Sequence, residues 1–245
     1  MDLINIVILG LIQGLTEFLP VSSSGHLVII QSFFPDFSQP GILFDVFLHF
    51  GTLFAILVYF RKTILTLSVK YLAFLGIGTV PAVFAGLFFR TQVVALFQDV
   101  RIVGWALIIT AIFNLLSDKT PAKNRKLSIK NSFLIGIAQA FAIIPGISRS
   151  GLTIFAAVKQ GIDRKKAAEF SFLLSMPAVL GANILEIISS EAQGDKSLKN
   201  YFFGFFLAFV SGLLALHLVI SFLQKRNFKY FSLYCLIVGL LILSF

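Results

Sequence analysis

The chain has 245 residues, of which 58% are hydrophobic and only 13% are charged. About a quarter of the residues in a soluble domain are charged, so this composition predicts an integral membrane protein. The net charge of +9 does not indicate nucleic-acid binding, because the basic residues are dispersed over short loops between apolar spans. An intramolecular disulfide is also excluded, since Cys235 is the only cysteine.

Apolar stretches near the roughly 20 residues that cross a bilayer recur along the chain. We predict six transmembrane helices, at residues 43–60, 64–89, 102–117, 167–188, 201–223 and 228–245. Two further apolar segments, residues 1–30 and 131–158, each contain a proline break, which predicts re-entrant helix–loop–helix segments. The predicted fold is therefore an all-α integral membrane protein with a single membrane domain over residues 1–245.

The distribution of lysine and arginine predicts the orientation of these helices. Residues 118–130 carry five basic residues against one acidic residue, residues 159–166 have a net charge of +3, and residues 225–229 add three basic residues. The positive-inside rule places these loops, together with Arg61 and Lys62, in the cytoplasm. The two re-entrant segments then enter the membrane from opposite faces, and both chain ends are extracytoplasmic.

The two re-entrant segments share one sequence pattern at an offset of 126 residues. The aligned pairs are Gly10 and Gly136, Gln13 and Gln139, Ser22 and Ser148, Ser24 and Ser150, and Gly25 and Gly151. We therefore predict inverted-topology repeats, the first over about residues 1–117 and the second over about residues 131–245. Broken helices that meet near the membrane midplane are a common way to build an intramembrane site.

Each segment also carries polar side chains that a lipid-exposed helix would not tolerate. Gln13 and Glu17 are four residues apart on one helix face, and Pro20 breaks the helix just before three serines. In the second copy, Arg149 lies between two serines after a Pro-Gly break. Serines that cap two new helices would direct two helix N-termini into one cavity, which is an arrangement that binds phosphate. A guanidinium adds a planar charged fork suited to phosphate oxygens.

A carboxylate beside a phosphate site has the chemistry to hold a divalent cation that bridges a diphosphate, and Glu17 occupies that position. His26 and the serines supply a proton carrier and candidate nucleophiles. His49 is four residues from Asp45, so it either pairs with Asp45 structurally or joins the site.

These residues, GLTEFLPVSSSGH and PGISRSGLT, resemble the two signature motifs of the undecaprenyl-diphosphate phosphatase family, also called bacitracin-resistance proteins. The resemblance covers the whole chain in length, motif order and repeat layout. It implies interdigitated inverted repeats, an outward-facing active site and dependence on a divalent metal cation, Mg²⁺ or Ca²⁺. It also implies hydrolysis of undecaprenyl diphosphate to the monophosphate, which recycles the lipid carrier for cell-wall precursors. Gln13 departs from the frequent Glu and leaves Glu17 as the only carboxylate there, while Ser24 replaces the usual Thr and keeps the hydroxyl.

The residue pattern and the resemblance together suggest the site residues. We predict catalytic roles for Glu17, Ser23, His26 and Arg149, with Glu17 as the metal ligand. The predicted substrate-binding residues are Gln13, Ser22, Ser24, Gly146, Ser148, Ser150 and Thr153. The first choice of nucleophile is Ser23 activated by His26, and the alternatives are His26 itself and metal-bound water.

The expected partners are a polyprenyl diphosphate substrate and membrane lipids, with no nucleic acid, and the protein is a candidate homodimer. The expected location is the bacterial inner membrane, with several spans and an outward-facing site. A membrane transporter or flippase for polyprenyl phosphate is the alternative function, because inverted repeats are also transporter architecture. The type-2 phosphatidic acid phosphatase class is disfavoured, since it requires a second His six positions after its Arg, where Phe155 stands.

Overall fold

A computed structural model of the chain describes residues 3–33, 41–121, 123–189, 198–224 and 227–244. Every regular element within these ranges is a helix. The helices in chain order are α1 Leu3–Phe18, α2 Ser23–Ser32, α3 Gly41–Tyr59, α4 Arg61–Leu65, α5 Val69–Phe88, α6 Arg90–Leu96, α7 Val100–Lys119, α8 Ile129–Phe141, α9 Arg149–Lys159, α10 Arg164–Ser189, α11 Leu198–Gln224 and α12 Phe228–Leu243.

Four helical segments are long and apolar enough to cross a membrane. They are Val69–Phe88, Val100–Lys119, Arg164–Leu185 and Leu198–Leu223. The other two predicted spans correspond to shorter apolar helices, Phe44–Tyr59 and Phe228–Leu243. The prediction of an all-α, multi-pass membrane protein is confirmed. The weakly charged segments at residues 31–41 and 191–199, which the charge distribution leaves on the extracytoplasmic side, lie mostly outside the described residues.

The predicted span at residues 64–89 is not one continuous helix. It begins inside the short helix α4, and a break at residues 66–68 separates α4 from α5. Ser68 has extended backbone angles and its hydroxyl accepts a hydrogen bond from the N–H of Tyr71 at 3.2 Å. This side chain caps the N-terminus of α5 and starts the new helix. The prediction of one continuous span was wrong here, because it used the apolar pattern alone.

Helices from the two halves of the chain pack against one another. Helix α1 lies along α11, and α8 lies along α5. A Cβ added at Gly10 would lie 3.1 Å from the carbonyl oxygen of Gly204, and one added at Gly136 would lie 3.0 Å from Gly78 Cα. Gly78 and Gly204 are 126 residues apart, as are Gly10 and Gly136. The two helix pairs therefore approach at equivalent positions of the sequence repeat, and each pair joins one half to the other.

Candidate functional site

The first hairpin is formed by α1 and α2. Helix α1 ends at Phe18, just before Pro20, because proline cannot continue the hydrogen-bond ladder. Ser22 adopts the left-handed conformation with φ 70° and caps α2, its hydroxyl accepting from the N–H of Gly25 at 3.3 Å. Ser22 and Ser24 hydroxyls lie 3.3 Å apart.

The second hairpin, formed by α8 and α9, repeats this chemistry. Gly146 has φ 93° in the loop that follows Pro145, a conformation that favours glycine. The Ser148 hydroxyl caps α9 by accepting from the N–H of Gly151 at 3.1 Å and lies 3.2 Å from the Ser150 hydroxyl. Both predicted caps are therefore present, and each hairpin presents a helix N-terminus at its tip.

The two hairpin tips touch each other. A Cβ added at Gly25 would lie 3.0 Å from Gly146 Cα, and one added at Gly151 would lie 3.2 Å from Pro20 Cβ. Residues 20 and 146 are equivalent positions of the repeat, as are residues 25 and 151. The same contact is thus made twice, once from each hairpin, which brings both helix N-termini to one place.

Helix α7 holds both tips through two side chains. Asn114 Nδ2 donates to the carbonyl of Pro20 at 2.6 Å. The Thr110 hydroxyl donates to the carbonyl of Gly146 at 2.9 Å and accepts from the N–H of Ser148 at 2.9 Å. Thr110 is halfway along α7, about 15 Å from each end at a rise of 1.5 Å per residue. The tips therefore meet at mid-depth of a membrane-length helix.

The Glu17 carboxylate lies at this meeting point and is bound from both hairpins. Its Oε1 accepts from Arg149 Nη2 at 2.5 Å. Its Oε2 accepts from the Ser23 hydroxyl at 2.5 Å and from Gln13 Nε2 at 3.0 Å. Ser23 and Arg149 are the first residues of α2 and α9 and are 126 residues apart, so the repeat places both beside Glu17.

Besides Asn114 Oδ1, two polar atoms on side chains that bond to Glu17 have no hydrogen-bond partner among the described residues. They are Nη1 of Arg149 and Oε1 of Gln13, and both are buried. Burying such atoms without a partner is costly, so each is poised for a group that arrives with a ligand. A guanidinium N–H without a partner, beside two helix N-termini, suits an anionic oxygen.

His26 makes no hydrogen bond to Ser23 in the structure, so no direct hydrogen bond supports the predicted activation of Ser23 by His26. Its Nδ1 lies 2.7 Å from the carbonyl oxygen of Ser22, and its Nε2 lies 2.7 Å from the hydroxyl of Tyr234 on α12. Ser23 instead donates to Glu17. The reason is the start of α2, which turns the His26 side chain back onto its own N-terminal cap rather than toward Ser23.

The family model for bacitracin resistance protein BacA matches residues 6–241. The chain belongs to this family. It is 40% identical to an undecaprenyl-diphosphatase of Syntrophotalea carbinolica, over 98% of this chain and 97% of that protein. It is 41% identical to one of Christiangramia forsetii, over 100% of this chain and 98% of that protein. A third relative, of Methanococcus vannielii, is 38% identical over 98% of each chain.

In this BacA family member, the remaining predicted substrate-binding residue, Thr153, makes its hydrogen bonds within α9 and to α10. Its hydroxyl donates to the Arg149 carbonyl at 2.7 Å and lies 2.5 Å from the hydroxyl of Ser171 on α10, and the residue is fully buried. The contact with Ser171 connects α9, the helix that carries Arg149, to α10. The structure therefore gives Thr153 contacts that hold Arg149 in place.

Sequence reasoning missed Thr110, Asn114 and Tyr234. Each lies in a predominantly apolar helix, Thr110 and Asn114 in α7 and Tyr234 in α12, and a polar side chain in such a helix is a weak signal for a site. For His49 the sequence allows either a structural contact with Asp45 or a role in the site. The structure places His49 Nδ1 2.8 Å from the Asp45 carbonyl oxygen, and a role for His49 in the site stays a prediction.

Proposed function

We propose that the protein hydrolyses undecaprenyl diphosphate to the monophosphate and inorganic phosphate. The observation that carries the proposal is the meeting of Glu17, Ser23 and Arg149 between two helix N-termini at mid-depth of α7. The Arg149 guanidinium, two positive helix ends and a hydroxyl bonded to a carboxylate have the chemistry that phosphoryl transfer requires. The relatives at about 40% identity are named undecaprenyl-diphosphatases, which supplies the substrate class.

The contacts suggest a role for each side chain. Arg149 Nη1 and the N–H groups at the starts of α2 and α9 bind the oxygens of the terminal phosphate. Ser23 Oγ attacks the terminal phosphorus, and its proton passes to Glu17 Oε2, to which it already donates. The bond from that phosphorus to the bridging oxygen breaks, and the lipid monophosphate leaves.

Water completes the cycle by attacking the phosphorus held on Ser23. The bond between Ser23 Oγ and phosphorus breaks, the proton on Glu17 returns to Oγ, and the water oxygen and both of its protons leave as part of the inorganic phosphate. Glu17 is thus a base in the first half and an acid in the second.

We infer that a divalent cation, Mg²⁺ or Ca²⁺, takes part at the same place. Among the described residues, no three His, Cys, Asp or Glu side chains form a metal cage. Glu17 and the buried Oε1 of Gln13 would hold the ion, and Mg²⁺ commonly binds through one or two protein groups plus substrate phosphates. Such an ion, when bound, neutralises charge on the diphosphate. Gln13→Glu should lower the Mg²⁺ concentration for half-maximal activity, and Glu17→Gln should raise it or abolish turnover.

We propose that the protein lies in the bacterial inner membrane with the site open to the outside. The support is the charge distribution, which puts the basic loops in the cytoplasm and the first hairpin on the opposite face. The candidate homodimer stays a prediction, and the mass of the purified protein in detergent tests it.

Phosphate release from a C55 or C15 diphosphate by the purified protein, with and without EDTA, tests the proposal. Arg149→Ala should lower turnover by about 10³–10⁵, as expected when a cation that stabilises a transferring phosphoryl group is removed. Ser23→Ala should abolish formation of a phosphoenzyme. Arg101→Ala, an exposed cation at the start of α7, is the matched control and should be unaffected. Transfer of polyprenyl phosphate across vesicles without phosphate release would favour the transporter alternative instead.

A further inference from the structure

His26 is held at both ring nitrogens by groups from different helices. The Ser22 carbonyl can only accept, so Nδ1 carries the proton of the neutral ring and donates it at 2.7 Å. Nε2 then has a lone pair and accepts from the Tyr234 hydroxyl at 2.7 Å. The two rings are nearly parallel, with an interplanar angle of 7° and centroids 5.6 Å apart. One tautomer and one ring orientation are therefore selected.

Tyr234 is a firm partner because its helix is anchored on both sides of the contact. The Cys235 thiol donates to the Pro20 carbonyl at 3.7 Å, and the Ser232 hydroxyl donates to the Ala111 carbonyl at 2.7 Å. Helix α12 also packs along α7, where a Cβ added at Gly239 would lie 2.8 Å from the Gly104 carbonyl oxygen. Tyr234 thus reaches the first hairpin from a helix that is itself tied to that hairpin.

The other end of this contact is a strained residue. Ser22 has φ 70°, a conformation that costs a serine free energy and persists only when its surroundings impose it. Its carbonyl accepts from both the backbone N–H of His26, at 3.2 Å, and His26 Nδ1. Ser23 follows directly and donates to Glu17. A chain of hydrogen bonds therefore runs from Tyr234 through His26 to the turn that aims Ser23.

We propose that Tyr234 is a positioning residue for the reaction: its hydroxyl holds His26 against the Ser22 carbonyl and so keeps the Ser22–Ser23 turn aligned with Glu17. This inference rests on the proposed phosphatase function. Tyr234 belongs to the second half of the chain and His26 to the first, so a residue of the second half helps to position the Ser22–Ser23 turn of the first half. Tyr234 is 44% exposed, and Phe at this position keeps the packing of the ring while it removes only the hydroxyl.

Tyr234→Phe is the test, with Tyr230→Phe as the matched control. Tyr230 lies one turn earlier on α12 and is 55% exposed, and its ring lies under the Lys229 ammonium, 5.3 Å from the ring centroid. Loss of one hydrogen bond to His26 should lower kcat about three- to tenfold in Tyr234→Phe. KM should stay within about twofold, because an aligning contact acts on the reacting groups and not on substrate affinity. Equal kcat values for the two variants and the wild-type protein would overturn the positioning role.

A spectroscopic measurement tests the contact without relying on activity. The protein has three histidines, so ¹⁵N NMR of histidine-labelled protein resolves them, and His26→Asn assigns the His26 signal. The Nε2 shift of His26 should move in Tyr234→Phe and stay in place in Tyr230→Phe. An unmoved shift would refute the proposed contact. Absence of phosphatase activity in wild-type protein, with the shift changed as expected, would instead overturn the proposed function and leave the contact established.

Discussion

Replacing Glu17 by glutamine should destabilise the fold as well as abolish activity. The Glu17 side chain is 6% exposed and its partner Arg149 is 18% exposed, so the ion pair is largely removed from solvent. Glu17→Gln keeps the shape and leaves the guanidinium without its anion. Removing one partner of a buried pair typically costs about 3–5 kcal/mol, whereas an exposed pair is worth about 1 kcal/mol or less. The low exposure of both side chains places the expected loss of unfolding free energy in the larger range.

A double-mutant cycle in detergent micelles measures this quantity. The wild-type protein, Glu17→Gln, Arg149→Gln and the double variant are unfolded under one set of conditions, and phosphate release is measured in parallel. The double variant removes both charges, so its loss of stability should be smaller than the sum of the two single losses by about 1–3 kcal/mol. All three variants should be inactive. Single losses that add within about 0.5 kcal/mol would refute the reasoning, because the two side chains would then be energetically independent.

Three further predictions concern single positions. Arg149→Lys should lower kcat/KM about 10- to 100-fold, since an ammonium keeps the charge and loses the planar fork, and near wild-type rates would reduce Arg149 to a general electrostatic role. Gly146→Ala should lower the melting temperature, because φ is 93° and the new Cβ would lie 2.7 Å from the Val103 carbonyl oxygen. Gly76→Ala is the control: a Cβ there meets no neighbouring atom within 4 Å, so the melting temperature should stay the same or rise. Asn124→Cys should resist an impermeant thiol reagent in intact cells, and labelling from outside would overturn the assigned topology.

Features that depend on neighbouring residues were predictable from the sequence. Long apolar stretches identified an integral membrane protein, because the free-energy cost of hydrating an apolar side chain depends on that side chain alone. Pro20 and Pro145 marked the hairpin breaks, and Ser22 and Ser148 marked the caps, because ring geometry and short hydroxyl side chains act on the adjacent backbone. The offset of 126 residues indicated a repeat, and the structure shows equivalent contacts at that offset. The apolar pattern did not identify the helix boundary at Ser68, because apolar residues continue on both sides of it.

Contacts between distant helices were decided by the tertiary structure alone. Glu17 and Arg149 are 132 residues apart, and His26 and Tyr234 are 208 residues apart. No local pattern predicts such pairs, because they depend on how closely the backbones approach and on which side chain then lies within hydrogen-bonding distance. The approach of Gly25 to Gly146 sets that distance here. A single sequence does not distinguish a glycine at a close helix contact from any other glycine, because the neighbour that excludes a Cβ comes from elsewhere in the chain.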